Sequence, residues 1–289
     1  MITIWCVTDD KPGHKNQLKG LVNALAENNT LNIFWFSLHH KAQWDTAHSP
    51  DIIIAAGSHT HWPALKLRWR YGGKLVVLMK PFLPRCFFDL CFIPRHDGIK
   101  ASRNVVTTRG AINPVPFSEQ SKPDRGLMLI GGPSKHYGWS DEKMVEQLLT
   151  LLGADENINW TLTTSRRTPE SFLLALQSAV LTAANNASLS IVPLEKTDSA
   201  WLAAQYRDCG KIWVTEDSVS MVYESLSSGT QTGILAVPRL SDNRVSAGLD
   251  ELIREGAVKQ LGSDNRSGPA ALPLNEAMRA ATIIEERLL

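Results

Sequence analysis

The chain has 289 residues, enough for two ordinary domains that each bury a core of their own. Hydrophobic residues at 43% and charged residues at 20% describe a globular protein, and no apolar run approaches the roughly 20 residues of a membrane-spanning helix. A formal net charge of +1 conceals an asymmetry: residues 1–118 carry 14 Lys/Arg against 7 Asp/Glu, and residues 119–289 carry 16 against 22. The first half therefore favours an anionic partner, and the acidic second half leaves no continuous basic track for nucleic acid.

From the N-terminus, ITIWCVT (2–8) reads as a strand, DDKPGHKNQ (9–17) as a polar loop and LKGLVNALAEN (18–28) as an amphipathic helix. This opening lacks the basic and long apolar regions of a signal peptide, so export is not expected. LNIFWFSL (31–38) is a second strand. DIIIAAG (51–57) is a continuous apolar run with the character of a buried parallel strand, and WPALKLRWRYG reads as a helix with Pro63 in its first turn. Short strands follow at 74–80, 90–94 and 104–110. Cys6, Cys86, Cys91 and Cys209 form no CxxC pair and sit mostly in apolar surroundings, which points to buried free thiols in a reducing, cytoplasmic compartment.

INPVPFSEQSKPDRG (112–126), rich in proline and polar residues, marks the expected boundary between an N-terminal α/β domain over 1–118 and a C-terminal one over 119–289. In the second, strands at 126–132, 159–165, 188–194, 211–216 and 233–238 alternate with helices. Those helices fall at 140–153 with Ser140 as N-cap, at 169–181, at 198–209 and after Asp217. A last helix, 274–289, is suited to packing back on the N-terminal domain. The expected fold class is α/β, with two doubly wound, Rossmann-like domains facing across a cleft.

Where residues 213–235 pass from strand to helix at Asp217 and Ser218, Glu224 falls in the second helical turn. Unpaired N–H groups at a helix start favour phosphate, and a nearby glutamate accepts hydrogen bonds from ribose hydroxyls. The alternative is that Asp217 and Ser218 only cap a helix whose Glu224 is solvated. In GGPSKH (131–136), Gly131 and Gly132 let backbone N–H groups approach a phosphate, with Ser134 and Lys135 beside them, or the pair merely ends a strand. TTSRRTP (163–169) ends a strand on the same sheet edge. Adjacent side chains diverge, so Arg166 is expected inside and Arg167 at the surface, while Ser165 meets the ligand or caps the turn.

In the first half, Asp9, Lys11, Gly13, His14 and Asn16 cluster after the opening strand. Histidine and aspartate are the residue types that take a proton from an acceptor hydroxyl, so His14 and Asp9 are the candidate catalytic residues; either can instead serve only to fix the turn. Ser58, His59 and Thr60 precede a helix and suit an acceptor or phosphate. His59 and His61 have ligand-like spacing, but no Asp, Glu or Cys beside them completes a shell, and no metal is expected. Lys80 reaches an anionic acceptor or stays in solvent, and Arg109 contacts a ligand or packs at a hinge. Lys66, Arg68, Trp69, Arg70 and Lys74 interleave charge and aromatic rings as anionic bilayer surfaces favour, or form a basic helix end.

Six ordered segments, DDKPGHKNQ (9–17), VVLMKPFLPRCFFDLCFIPRHD (76–97), TTRGAINPV (107–115), LIGGPSKHYGW (129–139), TTSRRTP (163–169) and VTEDSVSMVYESLSSG (214–229), resemble the bacterial branch of the mitochondrial-fission ELM-type family over nearly the whole chain. The resemblance implies a GT-B glycosyltransferase-like fold, similar to the transferases that add N-acetylglucosamine to lipid-linked peptidoglycan precursors. It implies a nucleotide-sugar donor rather than a tightly bound cofactor. The donor diphosphate would meet residues 131–136, 163–168 and the helix after Ser218, with Glu224 on the ribose. The implied acceptor is a phosphorylated lipid or cell-envelope glycan met at the inner face of a membrane. Two departures stand out: Val219 replaces a usual glycine, and Gly13 is the lone glycine of the first loop. A sugar-nucleotide epimerase and a non-catalytic adaptor are the alternative expectations.

Overall fold

A computed structural model describes residues 1–40, 48–182, 188–241, 244–262 and 274–289. Two compact units divide the chain, residues 1–114 with 275–289 and residues 115–274. The first contains β1 (Ile2–Thr8), α1 (Pro12–Asn28), β2 (Leu31–Ser37), β3 (Ile52–Ala56), α2 (His61–Tyr71), β4 (Lys74–Leu78), β5 (Leu90–Pro94) and β6 (Val105–Thr108). The second contains β7 (Lys122–Ile130), α3 (Asp141–Ala154), β8 (Asn159–Thr164), α4 (Glu170–Thr182), β9 (Leu189–Val192), α5 (Ser199–Asp208), β10 (Cys209–Thr215), α6 (Val219–Ser227), β11 (Gln231–Leu235), α7 (Arg244–Arg254) and β12 (Lys259–Gln260). The terminal helix α8 (Glu276–Leu288) belongs to the first unit, where Ala280, Ala281 and Ile284 join the core beneath α1.

Each unit is a doubly wound α/β layer. The first sheet runs β2-β1-β3-β4-β5-β6 and the second β12-β11-β10-β7-β8-β9, every neighbouring pair parallel. Strand β3 is buried along its whole length, as a parallel strand with helices on both faces requires. One face of the first sheet packs on α1 and α8 through Leu18, Leu21 and Leu25, and the other on α2 through Ala64, Leu65 and Leu67. In the second sheet α3 and α4 cover one face, while α5, α6 and α7 cover the other. Order therefore reverses at β1/β3 and at β7/β10, where successive helices leave toward opposite faces and open a crevice at the carboxyl strand ends.

Three local expectations are corrected. Helix α1 begins at Pro12 rather than at 18, because proline at the first helical position supplies helical φ and needs no hydrogen-bonded N–H. This moves Gly13, His14 and Asn16 from a loop onto its first two turns. Helix α7 and strand β12 were not anticipated; Leu249 and Leu252 of α7 pack in the second core. Cys86 is exposed, unlike the buried Cys6, Cys91 and Cys209. Ser140 caps α3 by accepting the Lys143 N–H, as its position before the apolar spacing indicated.

Candidate active site

The motif residues gather at the two points of sheet-order reversal. At β1/β3, Asp9 leaves the end of β1 with its carboxylate buried, and His14, in the first turn of α1, brings Nδ1 to 2.6 Å from Asp9 Oδ1. Burial opposes ionisation of Asp9, but the hydrogen bond and charge of His14, together with the Lys11 backbone N–H and ammonium, hold its carboxyl below the ordinary 3.8. An ionised carboxylate only accepts, so this bond assigns a proton to Nδ1 and leaves Nε2 as the nitrogen that can take one up. This base-and-orienter pairing suits proton abstraction.

The space for His14 is made by Gly57 at the end of β3. Gly57 has φ +97°, and a Cβ there would stand 2.4 Å from His14 Nδ1 and 3.2 Å from Asp9 Oδ2. Gly57→Ala is accordingly expected to lower stability by about 1–3 kcal/mol and to displace the imidazole. Loss of the hydrogen-bonded Nδ1–H resonance, with a lower melting temperature, checks this; an unchanged melt and resonance contradict it.

The other first-unit candidates fall into two sets. Lys11 is exposed with Nζ 3.4 Å from Asp9 Oδ2, and Gly13, Asn16, Ser58, His59 and Lys80 are exposed. The N–H groups of Gly13 and His14 have no partner among the described residues, so α1 begins with free donors. Thr60, by contrast, is buried and donates its hydroxyl to the Gly57 carbonyl at 2.6 Å, so an acceptor contact is closed to it. His61 is a core residue, stacked on Phe82 at 5.2 Å, and burial pulls its pKa down to about 4.

At β7/β10 the strand ends lock together. Gly131 N–H donates to Thr215 Oγ1 at 2.8 Å and Gly132 N–H to Asp217 Oδ2 at 3.1 Å. A Cβ on Gly131 would meet Asp217 Oδ2 at 2.2 Å, and one on Gly132 the Arg167 carbonyl oxygen at 2.1 Å. Close packing of three strand ends explains the glycine pair, whose N–H groups are engaged inside the protein rather than offered to phosphate. Arg167 is the arginine that reaches into this crevice, in place of Arg166. Its Nη1 donates to the Gly132 carbonyl at 2.7 Å and its Nη2 to Asp217 Oδ2 at 2.6 Å, while Arg166 is exposed without a partner among the described residues. The Asp217 side chain is 0% exposed, and its Oδ1 has no hydrogen-bond partner among the described residues.

Ser134 accepts the His136 and Tyr137 N–H groups and Ser165 accepts that of Arg167, so both hydroxyls hold their own turns. Lys135 is exposed and unpaired among the described residues. Ser218 precedes α6 without capping it through its side chain, and the Val219 and Ser220 N–H groups have no partner among the described residues. In the second turn of α6, Glu224 accepts from Tyr206 Oη at 3.0 Å through Oε2. Among the described residues its Oε1 has no hydrogen-bond partner, and it is not sealed from solvent. Burial raises the Glu224 pKa, against the opposing pull of the Tyr206 hydrogen bond. Beside the crevice, Arg239 pairs with Asp250 and Glu216, Asp250 contributing most to holding its charge, which ties the chain after β11 to the end of β10.

Gly57, Tyr206 and Arg239 complete these crevices without a motif of their own to mark them, and Arg167 takes the place expected of Arg166. Gly57 was legible as a glycine ending an apolar strand before a polar turn. Tyr206 and Arg239 lie on elements brought to the crevice by tertiary packing alone.

Known proteins share this fold over nearly the whole chain. An uncharacterized protein of Rickettsia prowazekii is 22% identical over 350 aligned positions, which cover 98% of each chain. MurG of Acinetobacter baumannii superimposes with a TM-score of 0.53 at 14% identity, covering 100% of this chain and 92% of MurG. A UDP-GlcNAc 2-epimerase of Methanocaldococcus jannaschii gives 0.53 at 11% identity, covering 98% and 99%. Such similarity establishes the GT-B fold. The family model described as Mitochondrial fission ELM1 matches residues 12–288, and the chain belongs to that family.

Proposed function

We propose that the protein is a nucleotide-sugar-dependent glycosyltransferase whose acceptor is a phosphorylated lipid or cell-envelope glycan. One observation carries this reading: Glu224 is a half-buried carboxylate with one oxygen fixed by Tyr206 and the other, among the described residues, without a partner, five residues along a helix whose first N–H groups have none there either. Five residues of α-helix rise about 7.5 Å, a separation suited to a ribose hydroxyl at one end and a phosphate at the other. In this reading Arg167 and the start of α6 take up the charge of the leaving diphosphate, and an arriving phosphate competes with Asp217 for the guanidinium.

His14 supplies the complementary chemistry in the first unit. Transfer forms a bond from the acceptor oxygen to the anomeric carbon and breaks the bond from that carbon to the diphosphate; His14 Nε2 is the first-unit group suited to taking the hydroxyl proton. Asp9 stabilises the imidazolium that results. A GT-B structure named as a UDP-GlcNAc 2-epimerase makes epimerisation the competing chemistry. Incubation with UDP- and GDP-sugars in deuterated water, with and without an extract of polyprenyl-phosphate lipids, separates the two. Transfer predicts nucleoside diphosphate release that depends on the lipid, with no deuterium at sugar C2. Deuterium at C2 would replace this reading by epimerisation, and neither signal would leave a non-catalytic binder.

A further inference from the structure

Among the described residues, an outward face of the first unit collects exposed aromatic rings that the proposed chemistry does not use. On α2, Trp62 and Trp69 are 48% and 66% exposed, and their rings meet edge to face at 6.5 Å. Positions seven apart share a helix face, and Lys66 and Arg70, both exposed, lie on the same side. The segment after β4 runs beside this helix. Phe82 stacks on His61 at its start, and Arg68 near its end donates to the Phe87 carbonyl at 2.9 Å. Phe82 and Phe87 are themselves 58% and 41% exposed.

Residues 61–88 contain Lys66, Arg68, Arg70, Lys74, Lys80 and Arg85 and no acidic residue. Arg68 is committed internally, its Nη2 lying 3.2 Å from Asp89, so it leaves the set of surface cations expected from the sequence. The other five are exposed. Exposed indole and phenyl rings flanked by cations that have no acidic partner among the described residues, Arg70 resting only on the Tyr71 ring, match the region of an anionic bilayer where headgroups meet acyl chains. An apolar protein groove would leave the cations unpaired, and a nucleic acid would be met by no longer basic track.

We infer that this face, formed by α2 and residues 82–87, docks the protein on a membrane containing anionic lipid. The inference stands independently of the transferase reading. Co-sedimentation of the full chain with vesicles of phosphatidylcholine, alone or mixed with phosphatidylglycerol, tests it. Binding is expected only to the mixed vesicles. Replacing Lys66→Gln and Arg70→Gln together should weaken it about 30-fold, at about fivefold per cation. Trp62→Ser with Trp69→Ser should abolish quenching of tryptophan fluorescence by brominated lipid. All four side chains are exposed, so the variants are expected to melt like the parent. Equal partition onto neutral vesicles, unchanged binding of the charge variant, retained quenching in the tryptophan variant, or binding of single-stranded DNA in place of vesicles would each overturn the inference.

Discussion

His14→Ala is expected to lower the rate of sugar transfer by about three orders of magnitude, in the middle of the range for removing a positioned general base. Nucleotide affinity should stay unchanged, because the proposed donor contacts lie on the second unit. Asp9→Asn should cost a comparable factor while leaving His14 in place. An asparagine that donates to Nδ1 reverses the tautomer and puts the proton on Nε2, where a base needs its lone pair. Stability offers an independent readout. The folded Asp9 carboxyl sits below its ordinary 3.8, partly through His14, so its contribution is present above that value and is lost as pH falls through the lower folded value. Without His14 that loss begins at higher pH, and acid unfolding of His14→Ala should move upward. A variant that keeps full transfer activity, measured as lipid-dependent diphosphate release, would remove His14 from the chemistry.

Glu224 yields an effect of opposite sign on stability and binding. Glu224→Ala should weaken nucleotide affinity by about 10–100-fold, the worth of a hydrogen bond to a charged group. The loss should be confined to ribonucleotides: 2′,3′-dideoxynucleotides, which bring no hydroxyl, should bind parent and variant alike. Glu224→Gln should bind weakly too, yet unfold later than the parent at neutral pH. Burial raises the folded Glu224 pKa above 4.5, so ionising it costs stability as pH rises through that folded value. Glutamine keeps the Tyr206 hydrogen bond through its carbonyl oxygen and avoids that cost. Its advantage should vanish in acid, where the glutamate is protonated folded and unfolded. A site that sacrifices stability for binding behaves this way, and a solvated face residue does not. Equal dideoxynucleotide and ribonucleotide losses, or none, would contradict the ribose assignment.

Much of the architecture was readable because it is local. The apolar run of β3 and the Ser140 cap of α3 are written in a few consecutive residues. Helix α1 shows how the same letters mislead: Pro12-Gly13 has the composition of a turn, and only the proline's place at the first helical position makes it a start. Helix α7 carries Leu249, Leu252 and Ile253 ahead of Gly256, whose positive φ of 70° ends the helical run, a stop signal available in the sequence. The crevice residues were found by type more readily than by role. Arg166 and Arg167 are indistinguishable until the turn after β8 fixes which one faces Asp217. The purpose of Gly131 and Gly132 depends on β10 and the 165–168 turn, far along the chain or across the sheet. Tyr206 enters only through the packing of α5 beside α6.

Nucleotide binding in the β7/β10 crevice of the second unit underlies the whole proposal. Thermal unfolding of the intact protein in the presence of UDP, GDP, CMP and ADP tests it most directly, since a ligand at about 100 times its dissociation constant adds about 2.7 kcal/mol to the folded state. A rise in melting temperature selective for one base and carried by ribonucleotides is expected. An unchanged melting temperature with every nucleotide, at concentrations into the millimolar range, would contradict it.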